Sequence, residues 1–523
     1  MDRHQAGHQR QHLSACGCPQ HAMLMLGARM ALTAGTAEPE GPPVSFREGP
    51  DPAISAFAEG GDSNTCDLFE VAGRGQWVVV SGGTVLPMTR GSALPDHDIF
   101  IRDGQIQAIR PMGADTPEGA IIVDARGRYI IPGLSNMHYH APLRHAVGMF
   151  APLISPGLSG DDITLPYDLI MFQNLAAGIT RLHVMAGSPE DLANRDNIRK
   201  RRYRGPHIHL ASPVVDGPAA IWSSAITWYA SDEAGGRTAA RKILEYGYDN
   251  AKPYTMLGRE AYFGLVSECK ALGIPVMGHI PASVTPDEAL AAGQHGVAHC
   301  FEYFYHVESG KKFDPDAIAR RARLSKDVGA TLQTTLGISQ VYEFDCGFIP
   351  ASAINFAASM DPVIRWLMRD ESPFIQGWRQ NEALMAGGED IFAHSIQVCQ
   401  ALKSEGVRLV PGTDMSASAI TGDTSLHHEL RLLVELGVMS TMEVLRAATI
   451  ESADYHNETA VSGTIEVGKR SDLVVLDADP SSDIGNTTSI DTVIVGDAIL
   501  RKASREIGLS RIKARYDAMP VPL

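Results

Sequence analysis

The sequence predicts an α/β fold: a parallel (β/α)8 TIM-type barrel joined to a small β-sandwich built from both ends of the chain. Three observations predict it. Eight short apolar runs between residues 133 and 414 each lead into a polar or helical stretch, which is the texture of repeated strand–helix units. Shorter β-branched runs, broken by glycine-containing turns, lie on either side of that middle. The chain has 523 residues, more than one hydrophobic core usually serves, so about two or three units are expected.

Residues 1–75 are rich in Gly, Pro, Ala and Ser without a sustained period, and read as a flexible N-terminal extension. Within it, "AMLMLGARMALTAGTA" at 22–37 has the outline of an export signal, but Arg29 divides the apolar stretch, so a cytoplasmic location is expected, with export the alternative. Residues 76–132 hold "QWVVVSGGTVLPM", "HDIFIRDGQIQAIRP" and "AIIVDARGRYIIPGL", the first part of the β-sandwich. Residues 133–455 form the barrel. Its strands are "GLSNMHYH", "GITRLHVMA", "PHIHLAS", "NAKPYT", "IPVMGHI", "GVAHCFEY", "GATLQTTL" and "VRLVPGTD". Helical spacing appears between them, as in "REAYFGLVSECKALG" and "PDEALAAGQ". Residues 456–510, with "GTIEVGKRSDLVVLDADP" and "IDTVIVGDAILRK", return to the sandwich, and 511–523 read as a tail.

A formal charge of -16 argues against nucleic acid or an anionic membrane, both of which need a basic face; a small-molecule substrate fits better. No apolar run is long enough to span a bilayer. The seven cysteines are scattered and odd in number, so free thiols are expected rather than a disulfide framework.

Side chains two apart on a strand share a face, so His138 and His140 point together, as two imidazoles must at a metal site. Lys252 lies in the fourth run, His279 ends the fifth, His299 lies in the sixth and Asp414 ends the eighth. Each alone reads as a barrel histidine, a capping aspartate or a solvated lysine. Six metal-competent side chains at one relative place in their units point instead to the strand ends where such barrels build their active sites.

These motifs resemble the amidohydrolase superfamily, in the imidazolonepropionase-like and Xaa-Pro dipeptidase-like branch that includes ochratoxinase, over residues 77–505. "IIPGLSNMHYH" is similar to the family's first-strand signature, "YDNAKPY" to its lysine strand, "GIPVMGHI" and "GVAHCFEYF" to its later histidine strands and "LVPGTDM" to its aspartate strand. The resemblance implies two divalent metal ions, zinc first among them. His138, His140 and Asp414 would hold one ion and His279 and His299 the other. Lys252, carboxylated by carbon dioxide, would bridge them: an ammonium offers no lone pair, whereas its carbamate is an anionic oxygen ligand. Asp414 would exchange protons as an attacking hydroxide cleaves a C–N bond of an N-acyl amino acid or dipeptide-like substrate.

Three departures stand out. Asn136 occupies a position where the family usually carries aspartate, Pro253 follows Lys252 directly, and the wide spacing between the seventh and eighth runs leaves room for a helical insertion, a candidate lid or homo-oligomer contact. For the substrate, Arg144 is a candidate for binding a carboxylate, and His183 and Tyr303 for lining the pocket. Aromatic residues in "CFEYFYH" (300–306) and "GPAAIWSSAITWY" (217–229) are candidates to grip an aryl or apolar group. Ester, lactone or carbamate hydrolysis, a mononuclear cyclic-amide hydrolase and a catalytically silent scaffold are the alternatives.

Overall fold

The structure is a computed structural model describing residues 65–140, 154–220, 226–304, 313–345, 347, 362–367, 369–380, 385, 388–414 and 422–521. Arg144 lies outside the described residues.

The N-terminal β-branched runs form β1 (Glu70–Val71), β2 (Trp77–Val85), β3 (Leu94–Arg102), β4 (Gln105–Pro111), β5 (Ile121–Asp124) and β6 (Tyr129–Pro132). The middle of the chain supplies nine strands: β7 (Leu134–Tyr139), β8 (Ile179–Val184), β9 (His207–Asp216), β10 (Thr227–Tyr229), β11 (Asn250–Pro253), β12 (Met277–Gly278), β13 (Gly296–Ala298), β14 (Thr331–Gln333) and β15 (Arg408–Val410). Near the C-terminus come β16 (Leu473–Leu476), β17 (Ile490–Val495) and β18 (Ala498–Arg501).

Strands from the two chain ends share one sheet, ordered β1-β18-β17-β16-β6-β2-β3-β4 with β5 beside β2. The link between the ends is β16, antiparallel to both β6 and β17. Its sequence LVVL is buried on both faces, and the two-residue period of a strand assigns the faces to different cores. Leu473 and Val475 pack with Val78, Val80 and Ile130 within the sheet's own core. Val474 and Leu476 join the main core with Leu175 and Ile179.

All strands of the middle pair in parallel. A five-stranded sheet holds β7 to β11 and a four-stranded sheet holds β12 to β15. A parallel bridge between Ala251 and Val276 joins β11 to β12. At the other side the Met137 N–H donates to Pro411 O at 2.9 Å, and the Thr413 and Asp414 N–H groups donate to His138 O at 3.0 and 2.9 Å. The hydrogen-bonded path therefore returns from β15 to β7.

Helices between strands begin where the sequence supplies caps. Thr285 and Glu288 form a reciprocal capping box with Pro286 in the first turn of the helix Pro286–Ala292. Ser188 and Asp191 do the same for Pro189–Arg199. In the long seventh unit lie the helices Leu336–Asp345, Pro362–Leu367, Pro373–Arg379 and Ile391–Ser404.

Two differences from the sequence pattern are informative. The segment 511–523 is no tail: the helix Lys502–Asp517 runs into it and buries Ile512 and Tyr516, one turn apart on a face that its charged neighbours conceal. β10 lies within what reads as a loop, because its three residues are too short to show a period. Cys66, Cys269, Cys300 and Cys399 are free thiols, as expected.

Candidate metal centre

His138 and His140 leave the end of β7, and Asp414 follows β15 by four residues. Gly412 makes their approach possible: a Cβ there would lie 2.5 Å from His138 Cβ and 2.7 Å from its backbone nitrogen. Asp414 Oδ1 consequently sits 3.0 Å from His138 Nε2 and 3.1 Å from His140 Nε2. The ligand atoms of these three residues lie within 4.8 Å of one another, a group competent to hold a metal ion.

His279 directly follows β12 and His299 directly follows β13, so both leave the same end of the parallel strands. The His299 ring is 4.6 Å from that of His138 and 4.8 Å from that of His279, centroid to centroid, and His299 Nε2 lies 3.7 Å from Asp414 Oδ2. Lys252, in β11, is 1% exposed, and its charge lowers the proton affinity of His138, His279 and His299. The six side chains thus gather, all buried but the partly exposed His140, at the C-terminal ends of β7, β11, β12, β13 and β15.

The other nitrogen of each buried ring is fixed. His138 Nδ1 donates to Gln333 Oε1 at 2.7 Å, His279 Nδ1 to Glu302 Oε1 at 2.7 Å, and His299 Nδ1 bonds Thr335 Oγ1 at 2.9 Å. Each bond leaves Nε2 as the nitrogen facing the cluster. Nε2 of His279 and of His299 is buried without a hydrogen-bond partner among the described residues. Solvent-excluded nitrogens of this kind call for a cation that accepts their lone pairs.

Electrostatics agree. Burial, aided by Lys252, pushes His138 down to about 3; burial also takes His279 below and His299 well below the usual imidazole range. Burial alone would raise the Asp414 carboxyl. The imidazoles of His299 and His138, with the bonds from His138 and His140, outweigh it and hold Asp414 well below the usual carboxylate range. Neutral imidazoles and an ionised carboxylate are the protonation states that metal ligation requires.

Sequence reasoning missed Gln333, Glu302 and Thr335. Gln333 lies inside the seventh run, at the end of β14, and Glu302 stands three residues after His299, so both carry a positional signal. Asn136 is a brace: its Nδ2 donates to Thr413 Oγ1 at 3.0 Å and its Oδ1 accepts from the Thr413 N–H at 3.2 Å, tying β7 to the aspartate segment. An aspartate would lack that donor. Pro253 leaves its carbonyl to accept the His279 N–H at 3.1 Å.

The remaining substrate candidates, Tyr303 and His183, are both buried. Tyr303 is a core residue whose hydroxyl bonds Ser325 at 2.8 Å. His183 is buried, bonded to Asn250 Oδ1 at 2.8 Å and 3.3 Å from His456 Nε2, where it braces the strand interior. Phe301 stacks on His299 at 4.7 Å.

Parallel strands that bring histidines, a lysine and an aspartate together at their C-terminal ends make a group competent to hold metal. The Amidohydrolase family profile matches residues 129–500, and the chain belongs to that family of enzymes acting on C–N bonds. It is 24% identical over 431 residues to a 5-methylthioadenosine/S-adenosylhomocysteine deaminase of Symbiobacterium thermophilum, covering 77% of this chain and 85% of that one. To the enzyme of the same name from Halobacterium salinarum it is 25% identical over 419 residues, covering 74% and 83%. Its fold is similar to a Xaa-Pro dipeptidase with bound methionine in the active site, with TM-score 0.62, 18% identity and coverage of 82% and 100%. The same holds for bottromycin amidohydrolase, with TM-score 0.62, 21% identity and coverage of 92% and 95%. A. niger ochratoxinase gives TM-score 0.60 and 15% identity, with coverage of 82% and 96%.

Proposed function

We propose that the parallel strands close as a (β/α)8 barrel and that this chain is a binuclear metal-dependent amide hydrolase acting on an N-acyl amino acid or dipeptide-like substrate. The observation that carries this reading is the metal-competent group of His138, His140 and Asp414, beside which Nε2 of His279 and of His299 are buried and unbonded among the described residues. That donor set fits a metal pair: His138, His140 and Asp414 would hold one ion, His279 and His299 the other, and Lys252, as its carbamate, would supply an anionic oxygen ligand. Nitrogen and carboxylate-type oxygen donors suit zinc, and also manganese, cobalt or iron. When bound, such a pair supplies hydroxide near neutral pH and polarises a carbonyl.

The chain's own residues do the rest. Gln333, Glu302 and Thr335 hold the imidazoles in orientation and keep their hydrogens on Nδ1. Asp414, held ionised at the centre of the cluster, accepts the proton released in attack on the amide carbon and returns it to the departing nitrogen. To serve as that ligand Lys252 would lose its ammonium proton, form an N–C bond from the free amine to carbon dioxide and release a second proton from that nitrogen, leaving an anionic carbamate in a pocket of neutral rings.

The deaminase relatives favour one other reading, release of ammonia from a purine. One panel separates the two: X-Pro dipeptides, N-acyl amino acids, aryl amides and 5-methylthioadenosine, assayed for released amine and released ammonia on zinc-loaded protein with bicarbonate. The proposal expects amine from an amide, abolished by a chelator. Ammonia from the nucleoside with every amide inert would replace it.

A further inference from the structure

We propose that Asp216 and Tyr229 form a binding site for the free ammonium group of the substrate, which makes a dipeptide with an unblocked N-terminus a better substrate than its N-acyl counterpart. This inference rests on the amide-hydrolase reading and narrows its substrate class.

Register orients Asp216. Lys252 pairs with Val214 and Pro253 with Val215 across β11 and β9. Ala251 and Val215 belong to the main core outside the ring, so Lys252 and Val214 point the other way, inward. Val214 there packs with Tyr254, whose ring lies 4.4 Å from that of His279. Asp216, two residues beyond Val214, faces inward one level closer to the strand ends, about 7 Å along β9 from the level of Lys252. It is the last residue of β9, at the end of the barrel where the metal cluster lies.

Oδ1 of the carboxyl accepts from the Gly217 N–H at 2.9 Å and the Met256 backbone also favours its ionised form, while Oδ2, fully buried, makes no hydrogen bond of its own among the described residues. Burial outweighs the backbone bonds and pushes this carboxyl up to about 7, so a cation bound beside it would favour the ionised form. β10 supplies a companion: Tyr229 pairs directly with Asp216 and shares its face, and it is partly exposed. Trp228 points oppositely, its ring 5.7 Å from that of Tyr248. A carboxylate beside an aromatic ring recognises an ammonium ion by charge and by the face of the ring.

The test compares leucyl-proline with 4-methylpentanoyl-proline, the same molecule with hydrogen in place of the amine, on the metal-loaded enzyme. Wild type is expected to favour leucyl-proline by about 10-fold or more in kcat/KM, as a charged hydrogen bond contributes. In Asp216→Asn, which keeps the acceptor for Gly217, that preference falls toward unity, and Tyr229→Leu lowers it as well. Equal losses on both compounds, or a wild-type enzyme indifferent to the amine, would overturn the inference. If wild type cleaves neither compound, the amide panel above decides the amide-hydrolase reading on its own. Calorimetric titration of the two compounds then decides the amine site: binding of leucyl-proline alone, lost in Asp216→Asn, sustains it, and no amine-dependent binding ends it.

Discussion

Each buried histidine of the cluster has its outer nitrogen bonded and its inner nitrogen aimed at the others, so ligand orientation is set before any metal arrives. Glu302 does this twice, accepting from His279 Nδ1 and from the Ile280 N–H at 2.9 Å. Glu302→Gln keeps one acceptor and sets an amide NH2 against the Ile280 N–H; metal affinity is expected to fall about 10- to 100-fold in a metal titration. Asp414→Asn preserves shape but removes the proton acceptor, so turnover should be lost while much of the metal remains. The six clustered side chains were legible in sequence because strand ends fix their common position. Gln333 and Thr335 were not, since neither is a metal ligand by type and their roles depend on which ring packs beside them.

The strands deliver these residues only because certain positions allow close approach. His299 and Asp414 adopt φ of 73° and 53°, left-handed values that few side chains take and that commonly mark functional sites. Gly278 lets β12 lie against β11, where a Cβ would come within 2.6 Å of Pro253 O. Gly412→Ala would drive β7 away from the aspartate segment, and such overpacking costs about 1–3 kcal/mol. Its expected signature is a lowered thermal midpoint together with loss of the metal held by His138, His140 and Asp414. All eight apolar runs contain a parallel strand, because apolar runs with turn residues on either side leave little choice. β10 escaped, being defined by its partner β9 rather than by a pattern of its own.

At the level of the molecule, the two ends of the chain close one sheet, and β16 stands between strands of both. Removing residues 456–523 strips β6 of β16 and leaves it only its short pairing with β2, and should leave a chain that is insoluble on expression. Acidity is a second global variable. In the metal-free protein, His138 sits at about 3 against an ordinary 6.5, so the unfolded chain takes up a proton that the folded chain refuses. Its contribution is present above pH 6.5 and lost as pH falls toward 3, by roughly 1.4 kcal/mol per pH unit. His183, His279, His299 and His456 act in the same sense. Raised carboxyls oppose them, Asp216 and Glu429 at about 7, Asp191 at about 6 and Glu343 and Glu451 above their ordinary range, their contribution being lost as pH rises. With His209, His295 and His428 also lowered, however, the histidines outnumber them. The thermal midpoint should therefore fall between pH 7 and pH 5, and a flat or rising profile would contradict the buried neutral cluster. The sharing of one sheet by both chain ends was readable from the recurrence of β-branched runs. The face that the C-terminal helix buries was not, because its charges mask it.

The most direct test is the metal content of the purified wild-type chain and of Lys252→Ala, each equilibrated with zinc and bicarbonate and then desalted. Two ions per wild-type chain, with loss of the pair and of most hydrolysis in Lys252→Ala, is the expected result. Two ions and full rate in Lys252→Ala would contradict the bridging role of Lys252, and one ion per wild-type chain would contradict the binuclear centre.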